Sequence, residues 1–155
     1  MPTPDCVTYA ELAASDCGIW PESTAGQVAR YFAISTAVTP AVLVVEHDSA
    51  LREILERVLH CAGFAPVTVP NGEEGLTLLR DGVPARVILL DLLDSRDFTS
   101  EQRRDPRLAQ IPVLVTSAAN QPWPPGLLAD AVVRKPIDLD QLIARVRALC
   151  GATFI

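Results

Sequence analysis

The sequence predicts an α/β domain built on a doubly wound, five-stranded parallel sheet. Two observations carry that prediction. From Pro40 onward, short continuous apolar runs alternate with segments whose apolar residues recur at helical spacing, the pattern of buried strands joined by covering helices. The chain has 155 residues, 49% of them apolar, which is enough for one compact domain with a single core.

Each element follows in order. Ala41 to Val45 is apolar throughout, as expected of a strand covered on both faces. Ser49 is the expected cap of a first helix, whose stripe is Leu51, Ile54, Leu55, Val58, Leu59 and Ala62, with Gly63 as its stop. Ala65 to Val69 is a second strand. Asn71 caps a second helix with Glu73 and Glu74 in its first turn, ending near Asp81 and Gly82. Arg86 to Leu90 is a third strand that delivers Asp91 at its C-terminal end. A short helix is expected over Ser100 to Asp105, halted before Pro106. Pro112 to Thr116 and Ala131 to Arg134 are the fourth and fifth strands. Between them lies Asn120-Gln121-Pro122-Trp123-Pro124-Pro125-Gly126, too rich in proline for a full helix, so a single helical turn over Gly126 to Asp130 is expected. Asp138 caps a last helix with Leu139, Leu142, Ile143, Val146 and Leu149 on its inner face. Residues 1 to 39 are a separate N-terminal extension, either poorly ordered or carrying a short docking helix around Val28, Tyr31 and Phe32; the folded domain is expected over residues 40 to 151.

Charge narrows the functions available. There are 19 acids against 13 basic residues, a formal net charge of −6, with no Lys/Arg block, so no nucleic acid partner is expected. No apolar run approaches the roughly 18 residues of a membrane span, and no leader pattern opens the chain, so a cytoplasmic protein without a membrane partner is expected. Cys6, Cys17, Cys61 and Cys150 lack metal-ligand spacing and are expected to be free thiols. Twelve of the basic residues are Arg; Lys135 is the single Lys.

In doubly wound sheets, chemistry gathers at the C-terminal ends of strands. Here those ends carry Glu46-His47-Asp48, Asp91, Thr116-Ser117 and Lys135-Pro136. A carboxylate can accept a phosphoryl group as nucleophile. A cation held by neighbouring oxygens, an ammonium and a hydroxyl can each stabilise that group. Taken singly, each residue has an ordinary structural reading, such as a turn or a helix cap. The grouping carries the argument.

On these residues the chain resembles the receiver domain of response regulators in two-component signalling. The matching segments are VLVVEHDSALREIL (42 to 55), VILLDLL (87 to 93), IPVLVTSA (111 to 118) and VVRKPIDLDQLIARVRAL (132 to 149). The resemblance implies a flavodoxin-like strand order 2-1-3-4-5. It implies that Asp91 is the phosphoacceptor, with Ser117 and Lys135 as the switch hydroxyl and phosphate-contacting ammonium. It also implies a cis peptide before Pro136, and a metal site of Glu46, Asp91 and the backbone carbonyl of Leu93. The implied cofactor is Mg²⁺; the implied partners are a histidine kinase or phosphotransfer protein and a downstream protein, with a homodimer left open.

Three features depart from the family pattern. His47 stands where receivers carry a second acid that binds the metal. Mg²⁺ prefers oxygen, so its binding is expected to be weak or absent, and His47 as a ligand for Mn²⁺ or Zn²⁺ stays open. Asp48, one residue on, reads as part of a helix cap. The loop after Asp91 lacks the usual Pro and Gly, and its Asp94 and Asp97 read as solvating acids. The third departure is the shortened fourth helix itself; in the same region the aromatic switch position near the start of the fifth strand is Val132, and Trp123 either covers apolar surface or contacts a partner. Only five residues follow Cys150, which gives the expectation of a stand-alone receiver, not an enzyme, whose output lies on another chain. The alternative is a pseudo-receiver, an interaction module insensitive to phosphate.

Overall fold

In the computed structural model, residues 39–152 are described. Five parallel strands lie in the order β2-β1-β3-β4-β5: β1 Ala41–Val45, β2 Ala65–Val69, β3 Ala85–Asp91, β4 Val113–Ser117 and β5 Ala131–Arg134. Four α-helices accompany them: α1 Ser49–Cys61, α2 Gly72–Arg80, α3 Ser95–Arg104 and α4 Leu139–Ala152. This is the flavodoxin-like arrangement that the sequence predicts. The N-terminal extension, with its possible docking helix, Cys6 and Cys17, lies outside the described residues.

Alternation along the central strands divides the core in two. Leu43, Val45, Ile88, Leu90, Val113 and Val115 face one side, with Leu76 and Leu79 of α2 and Phe98 of α3. Val42, Val44, Val87, Leu89 and Leu114 face the other, with Leu55 and Leu59 of α1 and Leu142 and Val146 of α4. The helix α2 sits close on the sheet because of Gly75: a Cβ there would lie 3.1 Å from Val45 Cγ2 and 3.3 Å from Phe98 Cε2.

Several local expectations are corrected. Asp48, not Ser49, caps α1: its Oδ1 accepts the amides of Ala50 at 2.9 Å and Leu51 at 3.1 Å. A carboxylate accepting two orphan amides is a strong cap, and it shifts the boundary by one residue. The helix α3 starts at Ser95 after a 3₁₀ turn over Leu92–Asp94, well before the predicted Ser100. Its inward face is mostly polar. Phe98 is buried alongside Ser95, Thr99 and Gln102, whose polar atoms bond back to the main chain: the Ser95 hydroxyl to Leu92 O at 2.6 Å, Thr99 to Ser95 O at 2.7 Å, and Gln102 Nε2 to Leu108 O and Ile111 O at 2.9 and 3.0 Å. An apolar-periodicity reading misses such a helix.

The β4–β5 connection, residues 118 to 130, contains no helix, one step beyond the shortened element expected. Three prolines deny it amide donors. It is held instead by Trp123 Nε1 donating to Leu127 O at 3.2 Å, by buried Leu127, and by Asp130, whose carboxylate accepts Val113 N at 2.8 Å while its own amide donates to Val113 O at 2.9 Å. Trp123 remains 44% exposed. On α4, Asp138 Oδ1 accepts Gln141 N at 3.0 Å as a cap, but Leu139 is exposed rather than inward. The free-thiol expectation holds for buried Cys150 and fails at Cys61, which is disulfide-bonded; its exposed place at the end of α1 is where a second cysteine can reach it.

Candidate functional site

The sheet's strand order reverses at β1 and β3, and the crevice beyond their C-terminal ends is where doubly wound folds bind ligands. Glu46 and Asp91 stand there, 1% and 2% exposed. Glu46 is fixed by its backbone: its amide donates to Val69 O at 3.1 Å, and its carbonyl accepts Arg52 Nη1 at 2.8 Å. Its Oε1 accepts the amide of Asp48 at 3.1 Å. Asp91 ends β3 and turns the chain, with Oδ1 accepting Leu93 N at 3.2 Å.

Two nitrogen-bearing side chains, one from the β1 end and one from the β5 end, converge on this pair. Lys135 Nζ lies 3.4 Å from Glu46 Oε2 and 3.4 Å from Asp91 Oδ2. His47 Nδ1 lies 2.8 Å from Asp91 Oδ2 and 3.3 Å from Glu46 Oε1. Burial pushes the Glu46 carboxyl above its usual range; the Asp48 amide opposes that shift, the neighbouring Asp91 adds to it, and Lys135 opposes it again. Asp48 behaves oppositely. The α1 amide of Leu51 holds its carboxyl below the usual range, desolvation opposes that shift, and the Ala50 amide adds to it.

The sequence-predicted residues therefore divide. Glu46, His47, Asp91 and Lys135 meet. Ser117 is buried at the end of β4, one register position beyond the Asp91–Thr116 pair, and its carbonyl accepts Lys135 N at 2.7 Å. Ser117 also lines a recess of about 290 Å³ with Gln121, Trp123, Val132 and Arg134, left accessible where the β4–β5 connection has no helix. The Lys135–Pro136 peptide is cis, as expected. Leu93 contributes its amide to Asp91, and its side chain is 68% exposed. Asp94 is half-buried and turns away toward α2, with Oδ1 3.5 Å from Gly72 N, and Asp97 is exposed on α3; neither joins the cluster. Sequence reasoning missed the buried polar face of α3 and the way Arg52 anchors the Glu46 carbonyl; an Arg one turn into α1 was the available signal for the second.

The donor set is a poor match for Mg²⁺. That ion takes oxygen ligands in a near-ideal octahedron, and here an imidazole nitrogen occupies the direction beside both carboxylates.

No protein-family model matches the chain. Its sequence is similar to the transcriptional regulatory protein AfsQ1 of Streptomyces coelicolor, 36% identical over 114 residues, covering 71% of this chain and 51% of the relative. It is also similar to the DNA-binding dual master transcriptional regulator RpaA of Synechocystis, at 32% identity, covering 74% of this chain and 50% of the relative. Among solved structures, the signal receiver domain of a histidine kinase from Syntrophus aciditrophicus superposes with a TM-score of 0.70 at 23% identity, covering 75% of this chain and 93% of that one. A response regulator receiver protein from Burkholderia phymatum gives 0.60 at 27%, covering 73% and 96%. Fold, site and relatives together define a receiver domain. The described residues form a receiver domain, and the sequence is similar over that domain to response regulators of two-component signalling. It spans about half the length of the curated relatives it matches. Among the described residues, no helix is long and apolar enough to cross a membrane.

Proposed function

We propose that this domain is a phosphorylation switch in which Asp91 accepts a phosphoryl group from a histidine kinase or phosphotransfer protein. The observation that carries the reading is a buried carboxylate, 2% exposed, with an ammonium 3.4 Å from one of its oxygens. In the transfer, the phosphorus–nitrogen bond of a phosphohistidine breaks as a phosphorus–oxygen bond to Asp91 forms. Lys135 then neutralises a phosphate oxygen as a point charge, and Ser117 donates its hydroxyl proton to another. A phosphate seated between them draws the β4 and β5 ends together, biasing the adjoining recess toward a downstream protein partner. The domain signals rather than catalyses, and a cytoplasmic location accompanies the reading. The metal half of the site, from Glu46, Asp91 and the Leu93 carbonyl, supports Mg²⁺ weakly because of His47.

Incubation with acetyl phosphate and a divalent cation, followed by intact-mass measurement, should add one phosphate to the chain and none to Asp91→Asn. No mass gain with any divalent cation would remove this reading.

One observation favours a second reading. His47 Nδ1 already contacts Asp91 Oδ2 at 2.8 Å, which partly occupies the oxygen that a phosphodonor must reach. On that reading the domain is a pseudo-receiver that binds its partner independently of phosphate. The same mass experiment separates the two.

A further inference from the structure

Glu46, His47 and Asp91 each offer one donor atom, and these atoms lie within 4.8 Å of one another. The two spacings about His47 are tighter, 2.8 Å to Asp91 Oδ2 and 3.3 Å to Glu46 Oε1. An ion bonded at about 2.1 Å sets adjacent ligands about 3 Å apart in an octahedron and slightly more in a tetrahedron. The imidazole nitrogen thus already stands at ligand spacing from both carboxylates.

Hardness decides which ion. Imidazole with carboxylate suits first-row transition cations, whose affinity for such mixed sites exceeds that of the hard, oxygen-seeking Mg²⁺. Burial adds strength rather than selectivity. Both carboxylates are almost wholly excluded from solvent, which strengthens their attraction for a cation, while His47 is 53% exposed and leaves an entry path with room for water ligands. Lys135 reaches Glu46 through the other oxygen, Oε2, so Oε1 stays turned to the imidazole, while at Asp91 the ammonium shares Oδ2 with the imidazole at 3.4 Å and must yield it to an ion.

We infer that Glu46, His47 and Asp91 form a divalent transition-metal site, selective for ions such as Zn²⁺ or Co²⁺ over Mg²⁺. The inference deepens the receiver reading of the same site and names the cation that would accompany phosphoryl transfer there.

The test uses the full chain without a phosphodonor, Co²⁺ as probe, visible absorption as readout and Mg²⁺ as competitor. One Co²⁺ per chain should bind and resist an excess of about 100-fold Mg²⁺. His47→Ala should weaken Co²⁺ by more than the roughly 10- to 100-fold typical of losing an outer-shell partner. His47→Asp, which restores an oxygen donor, should reverse the order and favour Mg²⁺ displacement. His60→Ala should change nothing. Unchanged Co²⁺ affinity in His47→Ala, or displacement by equimolar Mg²⁺ in the unsubstituted protein, would overturn the assignment. The readings fail separately. Co²⁺ binding that depends on His47, with no phosphate uptake at Asp91, removes the receiver switch and keeps the metal site. Phosphate uptake with Mg²⁺ and no dependence of Co²⁺ on His47 does the reverse.

Discussion

On the β5 side of Asp91, Lys135 sets one ammonium 3.4 Å from each of two buried carboxylates. On the β1 side, Glu46, His47 and Asp48 share the same space but have three different duties: a buried acid, a half-exposed imidazole and an exposed helix cap. Both loops leave a strand end and enter a helix capped by an aspartate, Asp48 for α1 and Asp138 for α4. The β5 loop supplies the ammonium that, on the function proposed above, a phosphate would meet. The β1 loop has exchanged an oxygen for a nitrogen and given its remaining acid to the helix. On that reading one site preserves its anion-binding half while its cation-binding half changes chemistry, because the two halves arrive on separate strands.

The comparison is broken most severely by removing the β5 contribution. Lys135→Met leaves Glu46 and Asp91 side by side without their shared ammonium. It should cost about 3 kcal/mol at neutral pH, the low end for breaking a buried ion pair because the ammonium is a quarter exposed. Urea unfolding at pH 7 and at pH 4 would measure this, with a smaller loss at the lower pH, where Glu46, raised by burial, holds its proton. An equal loss at both would mean that Lys135 contributes packing alone.

A smaller effect sharpens the β1 side. The Glu46 carboxyl is raised by burial, so its stabilising contribution is complete below the ordinary value of 4.5 and is lost as pH rises through the higher folded value. Glu46→Gln removes that titration. The variant should match the unsubstituted protein near pH 4.5 and exceed it in stability at pH 7, in metal-free buffer. A variant less stable at pH 7 would show that Lys135 and His47 outweigh the desolvation of Glu46.

The smallest effect has the opposite sign. Asp48 is lowered by the α1 amides, so its contribution is present above its ordinary value and fades as pH falls through the depressed one. Asp48→Asn keeps an acceptor for those amides and loses the charge. Thermal melts should show a slight loss at pH 7 and a flatter decline in acid. An unaltered acid decline would mean that the carboxylate charge adds nothing to the cap.

Much of this was legible in the sequence, for identifiable reasons. Strands β1 and β3 are continuous apolar runs because both faces are covered, and Asn71 caps α2 with Oδ1 accepting Glu74 N at 2.9 Å, as its position before two acids foretold. The grouping of Glu46, Asp91 and Lys135 followed from strand ends meeting at one edge of the sheet. What stayed hidden was tertiary. The helix α3 buries Ser95, Thr99 and Gln102, whose hydrogen bonds return to the main chain and satisfy them in the core. Periodicity of apolar residues carries no trace of that. Nor could spacing reveal that His47 turns its Nδ1 toward Asp91 while Asp48 turns to the helix, since neighbouring loop residues point where local backbone and capping direct them.

The proline-rich passage between β4 and β5 has a consequence in the chain's unfolded state. Pro122, Pro124 and Pro125 restrict φ whether the domain is folded or not, so this passage has fewer conformations to surrender than a glycine-rich loop of equal length. A helix would have secured its shape with a ladder of amides; here part of the ordering is already present before folding begins. The wall of the Ser117 recess is thus kept in shape largely by limits on chain freedom, with Trp123 and Asp130 fastening it at two points.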